Sequence, residues 1–382
     1  MNRIFKSFLS IAAVALVNSC ATAPVQTLSG LSGDDFIEEF GGKKTALYTM
    51  TNAAGMEVCV TNYGGRIVSV MVPDRDGNMK DVVLGFDNVA NYADKVNTPS
   101  DFGASIGRYA NRINQGRIVI DGETIQLPQN NFGHCLHGGP DGWQYQVYDA
   151  VQPDKSSIVL TMHSPDGDSG FPGEVTAVVT MTLTDDNAID IRYEAETTAK
   201  TVVNMTNHAY FNLSGDPSRR VDDHLMQINA DCFTPVDSTF MTTGEILSVE
   251  NTPMDFRQPS AIGSDIKNFE FQQIRFGNGF DHNWCLNTKG DDSQVAARVV
   301  CPDTGICLEV FTDEPGVQFY SGNFLDGTCT GKNGIVYEQS VAFCLETQKY
   351  PDSPNKPEWP SAYLEPGQKY SSHCVYRFSV VE

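Results

Sequence analysis

Gly116-Arg117-Ile118-Val119-Ile120-Asp121-Gly122-Glu123-Thr124-Ile125-Gln126-Leu127 reads as two short strands and a two-residue turn. Asp-Gly supplies the positive φ values that a type I′ hairpin turn needs. Ile118 and Ile120 then share one face, with Ile125 and Leu127 as their cross-strand candidates. The same period of two recurs along the chain. It predicts strands over 57–62 and 66–72, and again over 81–86 after the turn cluster Pro73 to Asn78. Further strands are predicted over 158–162, 175–183, 189–195, 297–301, 305–312 and 375–381. Only 259–269 carries spacing that suggests a short helix. Many strands with few helices imply an all-β fold, a large antiparallel sandwich rather than a parallel α/β sheet. No composition break divides the chain and no fixed repeat suggests a propeller, so 41–382 is expected to form a single domain.

Charge narrows the function. The 382 residues carry a formal net charge of −22. Such a surface repels phosphate backbones, so no nucleic-acid partner is expected. Arg3 and Lys6 precede an apolar stretch over 8–17, too short to span a bilayer and suited to a secretory leader. The leader ends in Leu16-Val17-Asn18-Ser19-Cys20, which resembles a bacterial lipoprotein box with Cys20 as the lipidated residue. Ordinary cleavage near Ala21 or Ala23, with Cys20 discarded, is the other reading. Export and a membrane contact made only through that lipid are the expectation, with 21–40 as a flexible tether. Of ten cysteines, Cys59, Cys285, Cys307 and Cys344 lie in apolar strand-like runs. There a free thiol behaves as a small core residue.

Most catalytic signatures are missing. There is no G-x-S-x-G elbow, no P-loop lysine motif and no Gly-rich dinucleotide fingerprint after a strand. Asp74-Arg75-Asp76-Gly77 has its glycine too early for a calcium loop and reads as a solvated hairpin turn. His134 and His137 stand three apart in a Gly-rich loop, an arrangement that suits hydrogen bonding to a neutral ligand better than metal ligation. The sharper signal is polar groups inside apolar runs. His208 lies in Thr206-Asn207-His208-Ala209-Tyr210-Phe211-Asn212-Leu213, and Glu346 in Phe343-Cys344-Leu345-Glu346-Thr347-Gln348. A carboxylate among Phe, Cys and Leu is costly to bury without partners.

From residue 45 onward the chain resembles the aldose 1-epimerases (galactose mutarotases). The resemblance is carried by D-V-V-L-G-F (81–86), G-R-Y-A-N-R-I (107–113), L-H-G-G (136–139) and S-P-D-G…G-F-P-G-E (164–174). It continues through T-N-H-A-Y-F-N-L (206–213), G-F-D-H-N (279–283), P-G-V-Q-F-Y-S-G-N (315–323) and F-C-L-E-T-Q (343–348). It implies the galactose mutarotase β-supersandwich and a small-molecule aldose as substrate. A monomer without metal is expected, and no cofactor, since anomer exchange needs neither redox change nor covalent intermediate. The resemblance also implies Glu346 as catalytic base, His208 as catalytic acid, and His137 as a second histidine near the sugar ring oxygen. Asn111, Arg112, Asp281 and Gln318 match residues that bind sugar hydroxyls. Trp143 stands where Phe is commoner in the family, either stacked on the sugar or part of the core.

Proton bookkeeping gives the expected chemistry. A cyclic aldose opens when the anomeric hydroxyl loses a proton and the ring oxygen gains one. With an ordinary pKa of about 4.3, Glu346 would be ionised near neutral pH, whereas His208, ordinarily about 6.5, must be kept protonated, and a nearby carboxylate is expected to raise its pKa and help. Two other function classes share the fold expectation: a non-catalytic sugar-binding lipoprotein, and a carbohydrate hydrolase or lyase, which would want two carboxylates flanking the bond. A sugar-phosphate epimerase would want more basic residues than Arg112 alone.

Overall fold

The computed structural model describes residues 27–98 and 100–382. The leader, Cys20 and the alternative cleavage sites lie outside the described residues. The hairpin behaves as its sequence implies. Arg117–Ile120 pairs with Glu123–Gln126, Ile118 faces Ile125, and Asp121 and Gly122 both take positive φ.

A nine-stranded antiparallel sheet forms one layer. Its order is Asp149–Asp154, Ser157–Ser164, Val175–Leu183, Ala188–Thr197, Tyr370–Val380, Ile306–Thr312, Ala297–Val300, Leu225–Ile228 and Ser260–Ala261. Val175–Leu183 buries every odd residue and leaves the even ones half-buried, the mark of a sheet with one face on the core. Against this layer packs a five-stranded antiparallel sheet ordered Leu247–Ser248, Cys232–Thr234, Asp281–Cys285, Gly316–Tyr320 and Cys344–Gln348. A four-stranded sheet of Leu47–Thr51, Glu57–Thr61, Arg66–Pro73 and Met79–Asp81 packs there too. One contiguous core joins the layers, including Val58, Val179, Ile191, Phe211, Phe319 and Leu345. Each such side chain contributes about 1.5–3 kcal/mol on burial.

The five-stranded sheet differs from the nine-stranded one in a way that matters. Gly316–Tyr320 and Cys344–Gln348 are buried on both faces. Val317, Phe319 and Leu345 point one way into the core. Pairing of Gln318 with Glu346 and of Asp281 with Tyr320 puts those four side chains together on the other face. That face is polar and yet buried, so it lines a site rather than solvent.

His208 reaches the same place by a separate route. Thr206–His208 pairs with Ala104–Ile106, and the chain then runs on to bridge two neighbours at once. Phe211 N–H donates to the Phe343 carbonyl at 2.7 Å and Phe343 N–H returns a bond at 2.9 Å. On the opposite side, Leu84 N–H donates to Tyr210 O and Asn212 N–H to Val82 O. In an antiparallel pairing, three residues back from Phe211 lies opposite three residues on from Phe343. His208 therefore falls across from Glu346. The fully buried Tyr376 hydroxyl bridges the two segments, 2.8 Å from Leu345 O and 3.5 Å from Asn207 O.

Three expectations are corrected. The segment 27–40 is folded, with Leu31 and Phe36 buried and Gly33–Phe36 a 3-10 turn, so it is no tether. No helix covers 259–269. Ser260–Ala261 pairs at the sheet edge and only Ile262–Ser264 coils, because the buried Ile262 and Ile266 imitate a helical stripe at a four-residue spacing. Among the described residues the short α-helices are Val89–Ala93 and Gln272–Gly277. The 81–86 strand leaves its ladder after Asp81 and crosses to Phe211. Cys59, Cys307 and Cys344 are buried free thiols as expected, and Cys285 is partly exposed.

Removing the Tyr376 hydroxyl leaves the Leu345 carbonyl unpaired inside the core. Tyr376→Phe is expected to lower unfolding free energy by about 1–2 kcal/mol in chemical denaturation.

Candidate active site

The two polar faces meet in a cleft of about 400 Å³, lined by Asn111, Arg112, His137, His208, Asp281 and Glu346 among others. His208 Nε2 lies 3.4 Å from Glu346 Oε1, with both side chains under a tenth exposed. The motif around His208 explains its placement. Asn207 turns away and donates to the Gly103 carbonyl at 2.8 Å. Asn212 donates to the carbonyls of Asp216, Arg219 and Val341. Tyr210 stacks on the imidazole with ring centroids 5.0 Å apart.

The loop motifs supply the other wall. Asn111 and His137 both take positive φ, 62° and 51°. They hold one another: Asn111 N–H donates to His137 Nδ1 and His137 N–H to Asn111 O, each at 3.1 Å. Such strain persists only where surroundings fix it, and it concentrates at working sites. Gly138 follows because a Cβ there would fall 2.3 Å from the Gly107 carbonyl. Arg112 donates to Asn131 Oδ1 at 3.2 Å and 3.0 Å, with its guanidinium 5.1 Å above the Phe240 ring.

Electrostatics departs from the simple expectation. Burial pushes Glu346 well above the usual carboxylate range, and Asp281 and Asp101 push it further, while Arg112 acts the other way. Burial also holds His208 down at about 3 and His137 well below its ordinary value. Desolvation thus outweighs the carboxylate neighbour that was expected to keep His208 charged. Burial favours the neutral form of both partners in the free site. Asp281 is likewise raised by burial, against the pull of Arg112.

Of the residues singled out from sequence, Glu346, His208, His137, Asn111, Arg112 and Asp281 all line this cleft. Gln318 stands behind the wall, its Nε2 donating to Asp281 at 2.7 Å. Trp143 is core, with its ring pressed on Gly107. His134 does not join His137, since its Nδ1 accepts from Gln115 N–H and its Nε2 meets Thr239. Among the described residues, Asp101, His137 and His208 bring one metal-capable atom each within 4.8 Å of the others. Asp101 went unnoticed in the sequence, as did the rim aromatics Phe132 and Phe324 and the wall residue Tyr320. Asp101 sits one residue before a buried Phe102 with no repeating pattern to mark it.

An imidazole and a carboxyl in contact, in a cleft with one cation and neutral hydrogen-bonding walls, define an acid–base enzyme of the β-sandwich class for a small polar substrate. The comparisons are specific. Residues 46–377 match the aldose 1-epimerase family model. Human galactose mutarotase is 42% identical over 326 residues, 85% of this chain and 92% of that protein. The aldose 1-epimerase of Escherichia coli K12 is 40% identical over 339 residues, 88% and 96%. Among solved structures, the aldose epimerase homologue of C. elegans superposes with a TM-score of 0.81 at 31% identity, covering 88% of this chain and all of that one. The galactose 1-epimerase of Lactobacillus acidophilus gives 0.78 at 28%, covering 90% and 97%. The chain belongs to the aldose 1-epimerase family.

The raised Glu346 carboxyl carries a stability consequence. Its unfolded form ionises above about pH 4.5 while the folded form does not, so each further pH unit favours unfolding by about 1.4 kcal/mol until the folded pKa is passed. Glu346→Gln removes that penalty. The variant is expected to melt higher than the wild type at about pH 9, with the difference shrinking towards about pH 5.

Proposed function

We propose that this chain interconverts the α and β anomers of free aldoses such as galactose or glucose, as a monomer, through Glu346 and His208. The observation that carries the reading is their 3.4 Å approach inside one sugar-sized cleft. No cofactor enters the proposal, because ring opening moves protons only.

The proton inventory favours the chemistry. The pair holds one proton in total, on either Glu346 or His208. With the proton on His208, Glu346 accepts the O1 proton while His208 donates to the ring oxygen O5. The C1–O5 bond breaks and a C1 carbonyl forms. The pair is then left as carboxylic acid and neutral imidazole, the arrangement that burial favours. The site is thereby biased towards the state that accompanies the open chain, which suits an enzyme that must lower the cost of an unstable intermediate. Rotation about C1–C2 presents the other carbonyl face, and closure runs the steps backwards. His137 supports O5 from the second side. Arg112, Asn111 and Asp281 hold ring hydroxyls so that the opened chain keeps its orientation, and Gln318 acts through Asp281.

The leader is part of the proposal. Export is supported by Arg3, Lys6 and the apolar stretch before Cys20. Lipidation of Cys20 would anchor the domain on a bacterial membrane facing the periplasm or exterior, whereas cleavage near Ala21 or Ala23 would release it.

Polarimetry on freshly dissolved α-galactose and α-glucose tests the activity. The wild type is expected to accelerate equilibration. Glu346→Gln is expected to lose the acceleration by about 10²–10⁴-fold while still binding sugar, and full activity in that folded variant would remove Glu346 from the role. The pH dependence of kcat/KM follows the one-proton state of the pair. Its acid limb is expected near pH 3, where His208 takes a second proton, rather than near an ordinary histidine value. Its alkaline limb comes when Glu346 loses its proton, above the normal carboxylate range.

A further inference from the structure

Asp101 has no role in the chemistry above, yet its position is among the most firmly held at the site. Arg66 is completely buried, and its guanidinium donates to the carbonyls on either side of Asp101: Phe102 O at 2.9 Å and Ser100 O at 3.2 Å. A third bond, 2.7 Å to Gln144 O, fixes the guanidinium itself. The same loop is stitched to the His208 strand, through Gly103 N–H to His208 O at 3.0 Å and the pairing of His208 with Ala104. The backbone therefore sets the Asp101 carboxylate and the His208 imidazole at a fixed separation.

Their polar atoms are unmet. Asp101 Oδ1 and His208 Nδ1 are shielded from solvent without any hydrogen-bond partner. One atom from each of Asp101, His137 and His208 lies within 4.8 Å of the others, and among the described residues no hydrogen bond or ion pair joins Asp101 to either imidazole. A bridging hydroxyl oxygen about 2.8 Å from each partner, at tetrahedral angles, spans about 4.6 Å, inside that limit. Such a hydroxyl would donate to the carboxylate while accepting from imidazole.

We propose that Asp101 is a specificity-determining residue that receives the C6 hydroxyl of a hexopyranose, making the enzyme selective for hexoses over 6-deoxy sugars. This rests on the proposed mutarotase reading, in which O1 faces Glu346 and O5 faces the histidines. The exocyclic group next to O5 on the side away from O1 is C6. A hydroxyl reaching past the histidines to Asp101 is therefore O6. Space is present for it: beyond Asp101 the cleft continues into a chamber of about 200 Å³ that shares Asp101, Tyr210, Tyr320 and Phe324 with the main site.

The test is anomer exchange by NMR with two matched pairs, galactose against 6-deoxygalactose and glucose against 6-deoxyglucose, on the full chain. In the wild type, kcat/KM is expected to favour the hydroxylated sugar by about tenfold or more, since its absence leaves a buried carboxylate unpaired. In Asp101→Ala the ratio falls to near one. In Asp101→Asn, which keeps an acceptor oxygen, it lies in between. A partly misfolded variant slows both sugars of a pair alike, so the ratio still reads the contact. A wild-type ratio near one, or a ratio unchanged in Asp101→Ala, overturns the assignment while leaving the mutarotase reading standing. Failure of the wild type to accelerate any aldose overturns that reading and this one with it.

Discussion

The two backbone hydrogen bonds between Phe211 and Phe343 set the geometry on which the site depends. Neither residue touches the cleft. Their pairing fixes the register between two segments separated by more than a hundred residues in sequence, and a slip of one residue would turn either His208 or Glu346 into the core. The surrounding contacts guard that register. Phe211 is bridged on its other side through Val83, and the Tyr376 hydroxyl spans both segments from the nine-stranded sheet. The sheet that supplies more of the main hydrophobic cluster than any other thus carries the residue that aligns His208 with Glu346.

Fold and chemistry meet in the doubly buried strands. A strand with one wet face alternates apolar and polar residues, and its polar side chains are solvated. Gly316–Tyr320 and Cys344–Gln348 instead bury every residue, and the side that carries Gln318 and Glu346 lies under a cleft wall. Asp281 and Glu346 consequently sit where ionisation is disfavoured, with Arg112 the one cation lining the same cleft among the described residues. Orphaned polar atoms at Glu346 Oε2, Gln318 Oε1 and His208 Nδ1 are the local sign of a site preorganised for a polar guest.

Strand periodicity was legible because one-sided strands advertise themselves: Val175–Leu183 and the Asp121-Gly122 hairpin follow from the residues alone. His208, Glu346, His137, Arg112, Asn111 and Asp281 were legible because they sit in long matching motifs. What escaped was whatever depends on tertiary context. Asp101 has no motif, and its importance comes from an Arg66 clamp that grips carbonyls, which sequence cannot display. The charge state of His208 was read from the neighbouring carboxylate, but burial of both partners decides it. Trp143 could have met sugar or core, and the absence of a side chain at Gly107 drew it into the core. The Gly- and Ser-rich composition of 27–40 disguised the apolar anchors Leu31 and Phe36.

Those anchors also tie the start of the described chain to the wall of the site. Leu31 and Phe36 share one apolar cluster with Tyr210 and Tyr320, which line the cleft. Trimming 27–40 would therefore loosen the packing behind the aromatic wall as well as the edge of the domain.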